Sequence, residues 1–165
     1  MKTSGYDGEI DLVKAEVYSE NDETTLASVS YTNGGFTLKL PESVSDKYLD
    51  NFVKDYLGDD YEGITVSNPN VKVCEVNLEA YESGSDNRIG SFYHKTEDWE
   101  GDLYYVEADL SITGSSTDEY GDTSKFSNFH LKKGWNIIYF KHIGYIYEWT
   151  TQVPEGAKWH FYYSK

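Results

Sequence analysis

Acids and aromatic rings are the side chains of this sequence with the most capacity for chemistry. Most of the 29 Asp and Glu residues fall in loops, and three loops gather several hard oxygen donors: Asn21-Asp-Glu23, Asp59-Asp-Tyr-Glu62 and Asp118-Glu-Tyr-Gly-Asp122. Calcium takes such oxygens, although none of the three has the Asp-x-Asp-x-Asp-Gly spacing of a dedicated loop. Asp118, Glu119 and Asp122 are the calcium candidate, and solvated charge that keeps strand edges apart is the ordinary alternative. No other cofactor is implied. Two carboxylates about 5–10 Å apart suffice for glycoside hydrolysis, so a small glycosidase-like hydrolase is one reading of so acidic a chain.

The rings offer a different chemistry. Tyr104-Tyr105, Tyr145-Ile-Tyr147-Glu-Trp149 and Trp159-His-Phe-Tyr-Tyr163 place aromatics on both faces of extended segments. Only one face of a sandwich sheet enters the core, so some rings are expected outside. Tyr145, Tyr147 and Trp149 share one face at period-two spacing and make a row roughly 13 Å long. Turned outward, such a row stacks on pyranose faces while nearby carboxylates and amides take the hydroxyls, which makes these three residues the ligand-binding candidate. Turned inward, the row is core. The flanking turns at Lys132-Lys133-Gly134 and Pro154-Glu-Gly156 mark its strands as interior members of a meander and favour the core.

No motif assigns a catalytic residue. His94, His130, His142 and His160 fall on four separate predicted strands, with no HExxH or HxH pairing for zinc, and no GxSxG elbow is present. Cys74 alternates onto the face of Val76 and Leu78 and reads as a small buried hydrophobe, since a reactive thiol needs an electropositive, accessible setting. The net charge of −15, with Arg88 the sole arginine, repels a phosphate backbone, so nucleic acid is not an expected partner. No run approaches the ~20 apolar residues of a membrane-spanning helix, so no membrane insertion is expected.

The elements that position these groups are mostly strands. Alternation predicts strands over 9–18, 25–32, 36–40, 71–81, 88–95, 102–113, 126–132, 135–142, 144–151 and 158–163. Asn33-Gly34-Gly35 supplies a tight turn, and Gly114 to Ser124 a long loop. The apolar phase slips between Leu12 and Val13, which predicts a bulge or burial on both faces. Between the third and fourth strands the period changes: Tyr48, Leu49, Phe52, Val53, Tyr56 and Leu57 mark one face of an amphipathic helix over 45–57, with cap residues at Ser43 to Asp46 and Gly58. The predicted fold is a single, mainly β domain over residues 1–165: an antiparallel β-sandwich, or alternatively a β-barrel, with one short helix.

Two stretches carry a resemblance. Ile10-Asp-Leu-Val-Lys-Ala-Glu-Val with Ser30-Tyr-Thr-Asn-Gly-Gly-Phe-Thr-Leu-Lys-Leu-Pro41 resembles the prealbumin-like sandwich modules of exported bacterial proteins. Leu131-Lys-Lys-Gly-Trp-Asn-Ile-Ile-Tyr139 with Pro154-Glu-Gly-Ala-Lys-Trp159 is similar to segments of uncharacterised surface lipoproteins of gut anaerobes. The likeness implies export and fold, and brings no catalytic residue. Together with the Tyr-, Asn-, Ser- and Thr-rich style of the loops, it leads to the expectation of an exported module at the cell surface or in the periplasm, lipid-anchored through a removed leading segment. The expected function is non-enzymatic binding or adhesion with a protein or glycan partner; a carbohydrate-binding module is the sharper form.

Overall fold

The computed structural model of the chain describes residues 3–4, 9–19, 22–32, 35–58, 61–82 and 84–164. Asn33 and Gly34 of the expected tight turn, Asn21, Asp59 and Asp60 of two acidic loops, and Ser83 lie outside the described residues. Among the described residues there are thirteen strands: β1 Thr3–Ser4, β2 Ile10–Ser19, β3 Asp22–Ser30, β4 Asp50–Asn51, β5 Ile64–Val66, β6 Lys72–Glu82, β7 Arg88–Lys95, β8 Glu100–Val106, β9 Leu110–Thr117, β10 Thr123–Leu131, β11 Gly134–Ile143, β12 Ile146–Thr150 and β13 Lys158–Tyr163. They share one sheet in the order β1-β13-β7-β6-β8-β11-β12-β10-β9-β5, with β2 joined to β6 and β3 to β2. Pairing is antiparallel except at β1/β13 and β10/β12. The mainly β class is therefore as the sequence predicts, and the layers come from one continuous sheet that doubles back on itself.

Burial explains the doubling. On β6, Cys74, Val76, Leu78 and Ala80 enter one core together with Val13 and Val17 of β2, Phe92 of β7, Tyr105 of β8 and Phe161 of β13. Val73, on the opposite face, enters a second core with Tyr104 and Val106 of β8, Leu110 and Ile112 of β9, and Phe126, Phe129 and Leu131 of β10. For β6 and β8 the expectation that only one face enters the core is overturned, whereas Tyr145, Tyr162 and Tyr163 are exposed, as expected of some of the rings. In this curled sheet β6 and β8 have apolar cover on both sides, and adjacent Tyr residues on β8 can both be buried.

The helical segment is shorter than the sequence predicts. Residues 45–57 divide into a 3-10 turn at Asp46–Tyr48, the short strand β4, and helix α1 at Phe52–Leu57. Leu49 is extended, Asp50 and Asn51 pair with Val73 and Lys72, and the Asn51 side chain then caps α1 by accepting from the Lys54 amide at 2.8 Å. The break lets Tyr48 and Leu49 enter the first core while Phe52 enters the second, which one straight helix with a single apolar stripe could not do. Phe36–Leu40 forms no strand either. Phe36, Leu38 and Leu40 face inward and Thr37 and Lys39 outward, as alternation predicts, but no neighbouring strand pairs with them.

Two further boundaries change. The predicted strand 102–113 is two strands, β8 and β9, because the chain turns at Glu107 to Asp109, where the Asp109 carboxylate accepts from the Lys133 amide at 2.9 Å. The loop expected from Gly114 to Ser124 is mostly strand, with only residues 118–122 outside β9 and β10. In β2 the irregularities fall between Ile10 and Leu12 on the β6 side and between Ala15 and Glu16 on the β3 side, close to the predicted slip.

Candidate functional site

The aromatic row breaks into three environments. Trp149 packs into the second core, with ring centroids 5.9 Å from Phe126, 5.6 Å from Phe140 and 5.6 Å from Tyr56. Tyr147 stacks on His142 at 4.2 Å. Tyr145 precedes β12 in the turn after β11 and is 74% exposed. The three rings do not make one platform. The Asp118, Glu119 and Asp122 loop closes on itself: the Asp118 carboxylate accepts from the amides of Tyr120 and Asp122, both at 2.9 Å. Among the described residues no three His, Cys, Asp or Glu side chains gather as a metal-holding group.

A cleft that sequence reasoning missed opens where the parallel strands β10 and β12 separate. Their ladder runs from Thr123–Ile146 to Phe126–Trp149 and stops. Beyond it β10 bulges between Phe126 and Phe129, and Asn128 takes a left-handed φ of 50°, a conformation that costs a non-glycine residue energy and that Asn tolerates better than most. The Asn128 carbonyl is held by the Thr151 amide at 3.2 Å and the Thr151 hydroxyl at 2.9 Å, and its side-chain amide donates to Gln152 at 3.3 Å. These bonds fix the bulge and so fix the cleft.

The cleft has a volume of about 250 Å³ and is lined by Trp99, Asn128, Glu148, Thr150, Gln152 and Glu155 among others. Trp99 ends a tight turn between β7 and β8, in which the Thr96 hydroxyl accepts from the amides of Asp98 and Trp99 at 3.2 and 3.0 Å. Lys141 sits 4.8 Å from the Trp99 ring centroid and 2.6 Å from the Glu148 carboxylate, fixing both groups. A ring, two side-chain amides, two carboxylates and hydroxyls therefore surround one opening. The lining residues come from two turns and from strands β10 and β12, far apart in the chain, so no spacing rule could have joined them.

Two acids on strands are buried, unlike the loop acids read as solvated charge. Glu16, 1% exposed, accepts from Tyr81 at 2.8 Å, Tyr18 at 3.1 Å and Thr25 at 3.3 Å. Glu79, 2% exposed, accepts from Ser91 at 2.6 Å and pairs with Arg88 at 3.0 Å. Their lone pairs are engaged, which suits structural roles. Asp102 borders the point where β6, β7 and β8 meet; burial, with help from the charges of Glu75 and Glu100, pushes its carboxyl up to about 7. The void beside it, about 10 Å³, has room for one water at most and none for a substrate. Cys74 lies beside Val76 and Leu78 as alternation predicts, and burial, then Asp50 and Glu75, pushes its thiol up to about 12. Among the described residues no helix is long and apolar enough to cross a membrane. No family model, no curated protein and no solved structure matches the chain.

Proposed function

We propose that this chain is a non-enzymatic extracellular binding module and that the cleft beside Trp99 takes a saccharide. The observation that carries the reading is the convergence of one indole ring with the side chains of Asn128, Glu148, Gln152 and Glu155 around a 250 Å³ opening. Saccharide recognition asks for that combination: a ring face for the C–H side of a pyranose and a fixed set of donors and acceptors for its hydroxyls. The acidic surface suits a neutral or cationic sugar better than an anionic one. Glu148 is held against Lys141, which favours an acceptor of hydrogen bonds over a group that delivers a proton to a glycosidic oxygen.

The test is a glycan array followed by calorimetric titration of the best oligosaccharide on wild type, Trp99→Ala and Tyr145→Ala. The expected result is saccharide affinity at least about ten-fold weaker in Trp99→Ala and unchanged in Tyr145→Ala, with equal melting temperatures. Equal affinity in all three proteins, or release of hydrolysed product during titration, would overturn the reading.

A further inference from the structure

A second cavity, larger than the Trp99 cleft, differs from it in character. It has a volume of about 410 Å³ and is lined by Gly35, Phe36, Leu38, Leu40, Leu78, Leu103 and Trp159. Its floor is the sheet, with Leu78 from β6, Leu103 from β8 and Trp159 from β13; its roof is the strap 35–41 that crosses the sheet without pairing to it. The strap is fastened at both ends. The Trp135 indole N–H donates to the Pro41 carbonyl at 2.8 Å, and Phe36 packs edge-on against Phe92 at 5.2 Å. Between those points, among the described residues, no backbone hydrogen bond joins the strap to the sheet, so the inward Leu38 and Leu40 stand over the space.

The space would hold roughly fourteen water-sized groups. Waters there would meet six apolar or aromatic side chains and no charged one. Buried waters are stable where they find two to four polar partners each, and beyond backbone groups the lining side chains offer only the Trp159 indole N–H. An apolar occupant that releases them gains on both counts. Charge narrows the class further. Among the described residues no cation lines the cavity, and the chain carries −15 overall, so a carboxylate or phosphate head would meet no counter-charge there and a repelling surface. Lys39, on the strap, is exposed between the two inward leucines.

We propose that the cavity beneath the strap 35–41 is a second binding site, independent of the Trp99 cleft, for a neutral, mostly hydrocarbon small molecule. The probe is N-phenyl-1-naphthylamine, which is uncharged and brightens when it leaves water. Its titration into the full chain is expected to saturate at one site, with energy transfer from tryptophan, and to be reversed by dodecan-1-ol at least about ten-fold more effectively than by dodecanoate. In protein carrying labelled leucine methyl groups, dodecan-1-ol is expected to shift Leu38, Leu40, Leu78 and Leu103 while Leu110 and Leu131 in the other core stay in place. Leu38→Trp, which fills the space from the strap, is expected to weaken the probe about ten-fold or more. Trp99→Ala is expected to leave it unchanged, so loss of saccharide binding and loss of this site are separable. Absence of saturable binding, methyl shifts spread over both cores, or equal displacement by dodecanoate would overturn the proposal. The methyl shifts are read on wild type and decide the matter even if Leu38→Trp does not fold.

Discussion

Tyr104 and Tyr105 are consecutive on β8 and both buried, 4% and 5% exposed, yet their rings belong to different cores. Tyr105 meets Trp135 at 5.4 Å in the first core. Tyr104 faces the second, where its hydroxyl donates to Glu75 at 3.2 Å and lies 2.7 Å from the Tyr56 hydroxyl. Side chains alternate across a strand, so this pairing requires apolar cover on both sides of β8.

Two cores in one sheet predict a pattern of coupling. Phe52 touches Phe129 in the second core, with centroids 5.6 Å apart, whereas Phe161 lies in the first. Each Phe→Leu change is expected to cost about 1–2 kcal/mol in urea denaturation. Phe52→Leu with Phe161→Leu is expected to add within about 0.5 kcal/mol, and Phe52→Leu with Phe129→Leu to depart from additivity by more than that. Strong coupling between Phe52 and Phe161 would mean that the two clusters act as one core.

Trp149 and Tyr145 separate the core from the surface within the aromatic row. Trp149→Ala is expected to destabilise the domain by about 3–5 kcal/mol, and Tyr145→Ala by no more than about 0.5 kcal/mol. The indole N–H of Trp149 is buried and finds no partner among the described residues, so Trp149→Phe is expected to recover much of that loss by removing an unmet donor. Thermal and chemical denaturation of the three variants check the ordering.

Arg88 is the cation paired with the buried Glu79 carboxylate, and that pairing raises its guanidinium above the ordinary arginine value. Because the arginine side chain is about half exposed, solvent softens the effect. Arg88→Met is expected to cost about 1–3 kcal/mol by leaving Glu79 with Ser91 alone, and Arg88→Met with Glu79→Gln to recover part of it. A double variant no more stable than Arg88→Met would remove the ion pair from the account.

Asp102 sets a sign for pH dependence. A carboxyl that binds its proton more tightly folded than unfolded stabilises the fold at low pH, and that contribution is lost as pH rises from its ordinary 3.8 to about 7. Glu75 and Glu100 face it and oppose its ionisation. Asp102→Asn is expected to raise stability at pH 8 by about 1–3 kcal/mol relative to wild type, with the difference shrinking toward pH 4. Denaturation curves at pH 4, 6 and 8 test it; a difference that does not vary with pH would show that Asp102 ionises freely in the fold.

The sequence by itself determined the strand-rich class, the place of Cys74 beside Val76 and Leu78, and the bounds of β7 and β13, because period-two alternation and turn residues are local signals. It also marked which of residues 36–40 face inward. It could not say that these residues lack a partner strand, because alternation reports one-sided burial and pairing is a long-range event. The same limit hid the break at Leu49: a 3.6-residue period cannot reveal that its apolar positions serve two cores. Tertiary structure alone brought Trp99, Asn128, Glu148 and Gln152 around one cleft, since the β10 bulge and the divergence of β10 from β12 bring two strands and two turns, distant in the chain, to one opening. It also turned Glu16 and Glu79 inward, because their donors, Tyr81, Thr25, Arg88 and Ser91, arrive from neighbouring segments that no reading of the local residues could supply.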